Sequence, residues 1–323
     1  SRGLGDVYKR QALMFSVVIP LYNKQDCIRN TVQSVLNQTF PDFEINIVDD
    51  GSTDRSLEIA RQFDDPRIRV FSKPNGGVSS ARNYGIRQSR KKYIAFLDAD
   101  DLWYPDYLSE IARLIDKYPG CGIYSAGYIL RKKHREIRYA YPTEGVIQDY
   151  FKEYFKHKSP FCNASCAVIP VEAFGKVGYF PENLHTGEDL YMWMAIAEHY
   201  NVCVTPNILM SYEYQESTFN DRLEKNIYIQ GDLFKKLCKC QNTYLNEIIA
   251  RLVITDAIFQ ALRNNKDVSK SVEKKFNYTK FNRTELLYLR ILNRTPAWSN
   301  KIIRNGWKLG SAIKTYLLGV MGR

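Results

Sequence analysis

The stretch Tyr93-Ile94-Ala95-Phe96-Leu97-Asp98-Ala99-Asp100-Asp101 decides how this chain reads: an apolar run fit for a strand ends in three carboxylates. Upstream, Phe43-Glu44-Ile45-Asn46-Ile47-Val48 leads in the same way into Asp49-Asp50-Gly51-Ser52-Thr53-Asp54, and Phe15-Ser16-Val17-Val18-Ile19-Pro20-Leu21 leads into Tyr22-Asn23. A further strand is expected at Ile68–Phe71. Between the strands lie helical segments: Ile28 to Leu36, Ser56 to Phe63 behind the Thr53/Asp54 cap region, and Val78 to Ser89. Strands alternating with helices predict an α/β fold, a mostly parallel sheet flanked by helices. In such a sheet the ligand crevice lies beyond the carboxyl ends of the strands, which is where these acids fall.

After Tyr104-Pro105 a helix is expected to about Lys117, then strands at Gly122–Arg131, Ile137–Tyr141 and Cys166–Ile169. A helix at Leu190–Ala197 and a short strand at Val202–Thr205 follow. Beyond about Ser217 the sequence turns polar, basic and mostly helical. The organisation predicted is a 1–13 extension foreign to the natural protein, whose start reads as Met14, an α/β domain over 14–218, and a helical basic C-terminal region over 219–323.

The net charge of +11 in 323 residues is unevenly placed. Residues 1–219 carry 26 Lys+Arg against 27 Asp+Glu, and residues 220–323 carry 20 against 8; after Glu285 there are seven basic residues and no acid. Such asymmetry points to an anionic partner surface. No nucleic-acid module is recognisable, which sets nucleic acid aside. Seven cysteines without regular spacing do not form a disulfide framework, so they read as reduced thiols of a cytoplasmic protein. The sequon Asn163-Ala164-Ser165 then carries no meaning. No run reaches the ~18–20 apolar residues of a membrane span.

Three acidic clusters carry the candidate chemistry. Capping explains Ser52 and Asp54, but not two consecutive carboxylates at the end of a buried strand; an acid there can accept from a nucleobase N–H or a ribose hydroxyl. Strand alternation would place Asp98 and Asp100 on one side, where like charges repel unless a cation neutralises them. Carboxylates completed by phosphate oxygens suit Mg²⁺ or Mn²⁺. An acidic loop facing water is the plainer alternative. The third cluster, Gly187-Glu188-Asp189, enters the helix that carries Trp193; acids there satisfy the helix dipole, and equally could deprotonate a sugar hydroxyl.

Taken together, the chain resembles the family 2 glycosyltransferases with the GT-A (Rossmann-like) fold. The resemblance spans about Phe15 to Ser217. It is carried by Val18-Ile19-Pro20-Leu21-Tyr22-Asn23, Ser34-Val35-Leu36-Asn37-Gln38-Thr39, Val48 to Asp54, Asn75-Gly76-Gly77-Val78-Ser79-Ser80-Ala81-Arg82-Asn83, Phe96 to Asp101, Val177-Gly178-Tyr179-Phe180 and Gly187-Glu188-Asp189. It implies an inverting transfer from a nucleotide-diphosphate sugar, a UDP-sugar in first place. By it, Pro20, Tyr22 and Asp50 line the nucleobase pocket, and Lys73 with the Gly76-Gly77 turn approaches the nucleotide. Arg82 lies near the pyrophosphate or donor sugar, Asp98 meets ribose and metal, Asp100 ligates the metal, and Asp189 is the general base supported by Glu188. One departure stands out: Tyr212-Glu213-Tyr214-Gln215 lacks the basic residue and His that many relatives place there, and His185 is a weak substitute.

Read as a helix, 298–321 puts Trp298, Ile302, Leu309, Ile313, Tyr316, Leu317 and Val320 on one face, with Lys301, Arg304, Lys308 and Lys314 outside it. That pattern describes either an interfacial helix on an anionic membrane or a helix docked on its own domain. The expectation is a metal-dependent hexosyltransferase-type enzyme, peripheral on the inner face of the cell membrane, that glycosylates a saccharide or lipid-linked saccharide. A polyprenyl-phosphate sugar synthase and a non-catalytic nucleotide-sugar-binding subunit are the alternatives.

Overall fold

A computed structural model describes residues 15–132, 135–159, 161–184, 186–213, 237, 242–277 and 279–296. The amphipathic stretch 298–321, His185, Tyr214 and Gln215, and the domain boundary expected at 218 lie outside them. By contact density the described residues fall into two compact units, those within 1–150, 161–183 and 191–225, and those within 151–160, 184–190 and 226–323.

The first unit is built on one ten-stranded sheet. Its strands are β1 (Phe15–Leu21), β2 (Phe43–Asp49), β3 (Ile68–Ser72), β4 (Tyr93–Phe96), β5 (Leu102–Trp103), β6 (Ile123–Lys132), β7 (Arg135–Tyr139), β8 (Gly145–Val146), β9 (Ala167–Pro170) and β10 (Val202–Glu213). The order is β3-β2-β1-β4-β9-β6-β10-β5, with β7 beside β6 and β8 beside β10. The segment β3-β2-β1-β4 is parallel, and so is β6 with β10, while β9 pairs antiparallel with β4 and β6. Every residue of β1 and β2 is buried, as near-continuous apolar strands covered on both faces require.

The helices of this stretch are α1 (Ile28–Leu36), α2 (Ser56–Ala60), α3 (Val78–Gln88), α4 (Tyr107–Lys117), α5 (Tyr150–His157), α6 (Val171–Val177) and α7 (Glu188–Ala197); α1 to α4 and α6 belong to the first unit, α5 but for Tyr150 to the second, and α7 begins in the second and continues in the first. α1 buries Ile28, Thr31, Val32 and Val35, one stripe at helical spacing. α3 lies against β1 so closely that a Cβ on Gly85 would sit 2.4 Å from Val18 Cγ1, so only glycine fits there. That contact fixes α3, and with it Arg82, against the strand that leads into Tyr22.

Two expectations need correcting. β4 stops at Phe96, Leu97 N–H still donates to Val18 O of β1 at 3.1 Å, and Asp98 to Asp101 then form a turn, closed by Asp101 N–H donating to Asp98 O at 3.0 Å. The acids are therefore gathered by a turn and not by strand alternation. The last strand runs not from Val202 to Thr205 but over 12 residues to Glu213, because register shifts between Thr205, Ile208 and Met210 absorb Pro206, which cannot donate to the ladder.

The second unit contains α8 (Thr243–Leu262), α9 (Lys266–Lys275) and α10 (Arg283–Arg294), with α8 packed on both others. Asn242 caps α8, its side chain accepting from Leu245 N–H at 3.0 Å. α8 is apolar almost all round and accordingly buried. The rings of Phe155, Tyr244 and Phe281 pack together in this unit, at 5.3 to 6.1 Å between centroids. No helix among the described residues is long and apolar enough to cross a membrane.

Candidate active site

The turn after β2 is organised by its own acids. Asp49 accepts from Ser52 N–H at 3.2 Å and from the Ser72 hydroxyl at 2.9 Å. Asp50 accepts from Gly76 N–H at 3.0 Å, from Gly77 N–H at 2.7 Å and from the Lys73 ammonium. The Asp50 carboxylate thus braces the whole loop from Lys73 to Gly77 from below. Gly77 has φ +87°, a left-handed backbone that only glycine adopts freely, and starts α3. Lys73 also donates to Pro74 O at 2.8 Å.

The loop after β1 is stitched to the same turn. Asn23 (φ 51°) accepts from Thr53 N–H at 2.8 Å and donates its own N–H to Ser52 Oγ at 3.1 Å. Lys24 N–H donates to Ser56 Oγ at 2.7 Å, and Gln25 N–H to Asp54 at 3.1 Å. Burial alone would raise the Asp54 carboxyl, but hydrogen bonds from Ser56 and Gln25 hold it below its ordinary value. Pro20 is buried within β1, while the Tyr22 ring just beyond the strand is 47% exposed and available to a planar ligand.

Beyond β4, the Asp98–Asp101 turn is held from one side by Ser165. Its hydroxyl accepts from Asp98 N–H at 3.1 Å and donates to the buried Asp101 carboxylate, while its carbonyl accepts from the Trp103 indole at 2.6 Å. Asp98 and Asp100 each hold a cation. Arg82, 2% exposed, donates to Asp98 at 2.7 Å and lies 5.4 Å over the Phe180 ring. Asn83 pins that ring's backbone, donating to Phe180 O at 2.8 Å and accepting its N–H at 2.9 Å. The Lys24 ammonium pairs with Asp100 at 2.6 Å. Burial works to lower the Lys24 pKa, yet Asp100, by charge and by hydrogen bond, with smaller help from Cys27 and Asp98, holds it above the ordinary lysine value. Lys24 therefore lies within electrostatic reach of both acids.

In the second unit, Glu188 and Asp189 open α7 just after Gly187, whose φ is +80°. Asp189 accepts from its neighbour Leu190 N–H at 2.8 Å. Tyr154 of α5 is buried in the same unit; burial holds its hydroxyl well above the usual phenol value, with Arg251 pulling it down and Asp189 pushing it up. Arg251, itself 3% exposed on α8, lies 5.1 Å over the Phe155 ring.

The geometry brings Tyr22, Asp50, Lys73, Gly76, Gly77, Asp98 and Asp100 to loops at the carboxyl ends of β1, β2, β3 and β4 in the first unit, and Arg82 reaches Asp98 from within α3. Asp50 and Lys73, expected at the nucleotide, hold each other; Arg82, expected at the pyrophosphate or sugar, holds Asp98. Glu188 and Asp189 belong to the second unit. The sequence reading missed Lys24 and Ser165. A lysine two residues after Tyr22 was a usable signal, whereas Ser165 gave none beyond a meaningless sequon. Among the described residues, no three His, Cys, Asp or Glu side chains could hold a metal by themselves. Glu213 accepts from Ser211 at 2.7 Å and from Arg131 at 3.4 Å.

Comparison with known proteins agrees with this architecture. An uncharacterized glycosyltransferase of Rickettsia felis is 30% identical over 271 residues, which cover 81% of this chain and 43% of that protein. The chain thus spans less than half the length of that relative. Among solved structures, S. aureus TarS 1-349 in complex with UDP-GlcNAc superposes with a TM-score of 0.66 at 19% identity, covering 87% of this chain and 88% of the other. The mannosyltransferase PcManGT from Pyrobaculum calidifontis, in complex with GDP-Man and Mn²⁺, gives 0.60 at 15% identity, covering 95% and 83%. At such identities these likenesses establish the fold, a GT-A fold. The family description "Glycosyl transferase family 2" matches residues 16–178, more than half of the chain and all the strand-end loops described above, so the chain belongs to the family 2 glycosyltransferases.

Proposed function

We propose that this chain is an inverting glycosyltransferase that moves a sugar from a UDP donor to an acceptor hydroxyl in polysaccharide or glycolipid synthesis. The observation that carries the reading is the Asp98–Asp100 turn at the end of a parallel strand, with Arg82 and Lys24 paired to its two carboxylates. Loops rich in cations beyond strand ends suit a diphosphate. The UDP-GlcNAc and GDP-Man complexes of the structural neighbours support a nucleotide-sugar donor.

The donor chemistry of Asp98 and Asp100 fits Mg²⁺ or Mn²⁺. Both are hard oxygen ligands, their side chains are only 17% and 19% exposed, and two carboxylates plus substrate phosphates make up the usual shell of these ions. When bound, the ion supplies Lewis-acid stabilisation of the departing diphosphate. Arg82 orients Asp98 from a buried position and keeps its charge compensated. Tyr22 offers a ring face to the base, Pro20 closes the pocket behind it, and Asp50 keeps the Lys73–Gly77 loop in shape at the nucleotide. Asp189 takes the proton from the acceptor hydroxyl as it attacks the anomeric carbon from the face opposite the diphosphate, and Glu188 supports it at the acceptor. Acceptors are saccharides or lipid-linked saccharides, and the amphipathic sequence 298–321 supports recruitment to an anionic membrane surface.

Asp189→Asn tests the assignment, because it keeps the shape and removes the base. UDP affinity should stay within a few-fold, and sugar transfer should fall by the ~10²–10⁴ typical of general-base loss. Wild-type turnover in the variant would move the base elsewhere, with Glu188 the next candidate.

A further inference from the structure

The second unit gathers cations for which sugar transfer has no use. A cleft of about 520 Å³ lies between α9 and α10. Lys270 and Lys274 line it from α9, Arg290 and Arg294 from α10. The members of each pair are four positions apart, so each helix turns both of its cations to one side. Glu273 is the one acid among the lining residues. Its carboxylate accepts from Arg294 at 3.1 Å and from the Asn293 amide at 2.8 Å, and Asn293, 5% exposed, is held in turn by the Ser269 hydroxyl. The acid is therefore fixed, and it does not use up the cations. Arg290 Nε stands 3.8 Å from Glu273 Oε1, beyond hydrogen-bond reach, and among the described residues Lys270 and Lys274 have no ion-pair partner. Lys274 and Arg294 sit in the last turns of their helices, where a cation answers the dipole. Lys270 and Arg290 lie a turn earlier, where that effect has faded. Four cations around one carboxylate repel one another, and a bound anion relieves the repulsion.

We propose that this cleft is a second ligand site, one that binds a phosphoryl group carrying more than one negative charge: a phosphate monoester or a diphosphate. The Arg290 guanidinium offers a planar fork to phosphate oxygens, the two lysine ammoniums supply point charge, and Arg294, tied to Glu273, adds to the positive field. A singly charged carboxylate leaves most of the excess unanswered. Asn277, also in the cleft, presents an amide to a hydroxyl beside the phosphate. The volume lies in the usual range of small-molecule sites, so the ligand is a phosphorylated molecule and not a bare ion. A soluble phosphate ester and a phosphomonoester lipid headgroup present the same chemistry to these residues. The site gives the basic excess of the last third of the chain a definite place, and it stands independently of the donor and metal proposed for the strand-end loops.

The test is calorimetric titration of inorganic pyrophosphate into the full chain in excess chelator. Lys270→Gln/Lys274→Gln removes two cations of the cleft, whereas Lys280→Gln/Arg283→Gln removes two exposed cations that do not line it. Wild-type protein should show a pyrophosphate site that the cleft pair weakens about tenfold, as expected for the loss of one charge-assisted hydrogen bond, and that the control pair leaves close to wild type. Any uptake at the strand-end loops of the first unit remains in all of these proteins. Arg290→Gln, on the opposite helix, should weaken the same site, which guards against a folding defect in the lysine pair, and thermal melts check that each variant is folded. Pyrophosphate binding that neither cleft variant changes, or that the control pair lowers equally, would overturn the proposal. Co-sedimentation with phosphatidylcholine vesicles containing phosphatidic acid then names the source of the phosphate. Vesicle binding lost in the cleft variants assigns a lipid headgroup; vesicle behaviour that the cleft variants leave as in the wild type assigns a soluble phosphate ester.

Discussion

Two sets of acids, one in each unit, are satisfied by different means. In the first, acids sit beside cations: Asp100 with Lys24, Asp98 with Arg82, Glu44 with Arg69, and Glu144 with Arg113 and Lys117. In the second, the long helix α8 carries acids that neutral groups surround. Glu247, 3% exposed, accepts from Lys280 N–H at 2.7 Å, Phe281 N–H at 3.3 Å, the Asn282 amide at 2.8 Å and the Thr279 hydroxyl, and it fixes the turn that starts α10. Asp256 has less help. Burial pushes its carboxyl up to about 7, against smaller opposing effects from Gln260 and Arg263. Asp98 and Asp100 sit beside cations in a turn beyond a strand's carboxyl end, whereas Glu247 is enclosed by donors of its own unit and holds the turn that starts α10. This separates Asp98 and Asp100 from Glu247 as candidates for chemistry, although all are partly or wholly buried carboxylates.

The contrast predicts opposite responses to pH. Asp256 has a folded pKa above its unfolded value near 4, so its folded form prefers the proton. Its contribution is most favourable below about pH 4 and is lost as pH rises through 7, by up to about 4 kcal/mol for a three-unit shift. Asp256→Asn should therefore raise the melting point at pH 8 and change it little at pH 4. A lower melting point at pH 8 would mean that the ionised carboxylate has a partner that stabilises it.

The smaller effect lies in the first unit. Hydrogen bonds from Arg113 and Lys117 hold the Glu144 carboxyl at about 2, below its unfolded value, so its contribution is present above about pH 4.5 and is lost as pH falls toward 2. The Arg113 and Lys117 side chains are 43% and 56% exposed, so solvent screening keeps the network's contribution small. Glu144→Gln should lower the melting point by a few degrees at pH 7 and 0.1 M salt, and by less at 1 M salt. A drop that salt leaves unchanged would show that the network acts through packing and not through charge.

How far these features could be read from the chain itself depended on whether local pattern decided them. The parallel core was legible because β1 and β2 are unbroken apolar runs, each followed by turn residues and a helical stripe such as Ile28, Thr31, Val32 and Val35. Short elements without a period of their own, β5 and β8 at two residues each, were not. The full length of β10 was hidden by Pro206, whose effect is absorbed only by pairing with β6. At the site, the acids announced themselves, but their partners did not. Lys24 meets Asp100 across 76 positions and Ser165 meets Asp101 across 64, contacts that only the assembled sheet creates. Asp98 and Asp100 are carried by a turn that follows β4 and not by strand alternation, which a single-strand pattern could not show.

The central claim is that Asp98 and Asp100 form a metal-dependent diphosphate site. Calorimetric titration of UDP into wild-type protein and into Asp100→Ala, each in Mn²⁺ and in excess chelator, tests it most directly. The account predicts that wild-type protein binds UDP at least about tenfold more tightly in Mn²⁺ than in chelator, a coupling at the low end of the usual 1–3 kcal/mol range, and that Asp100→Ala binds UDP equally weakly in both. Equal UDP affinity of the wild type with and without metal would contradict it.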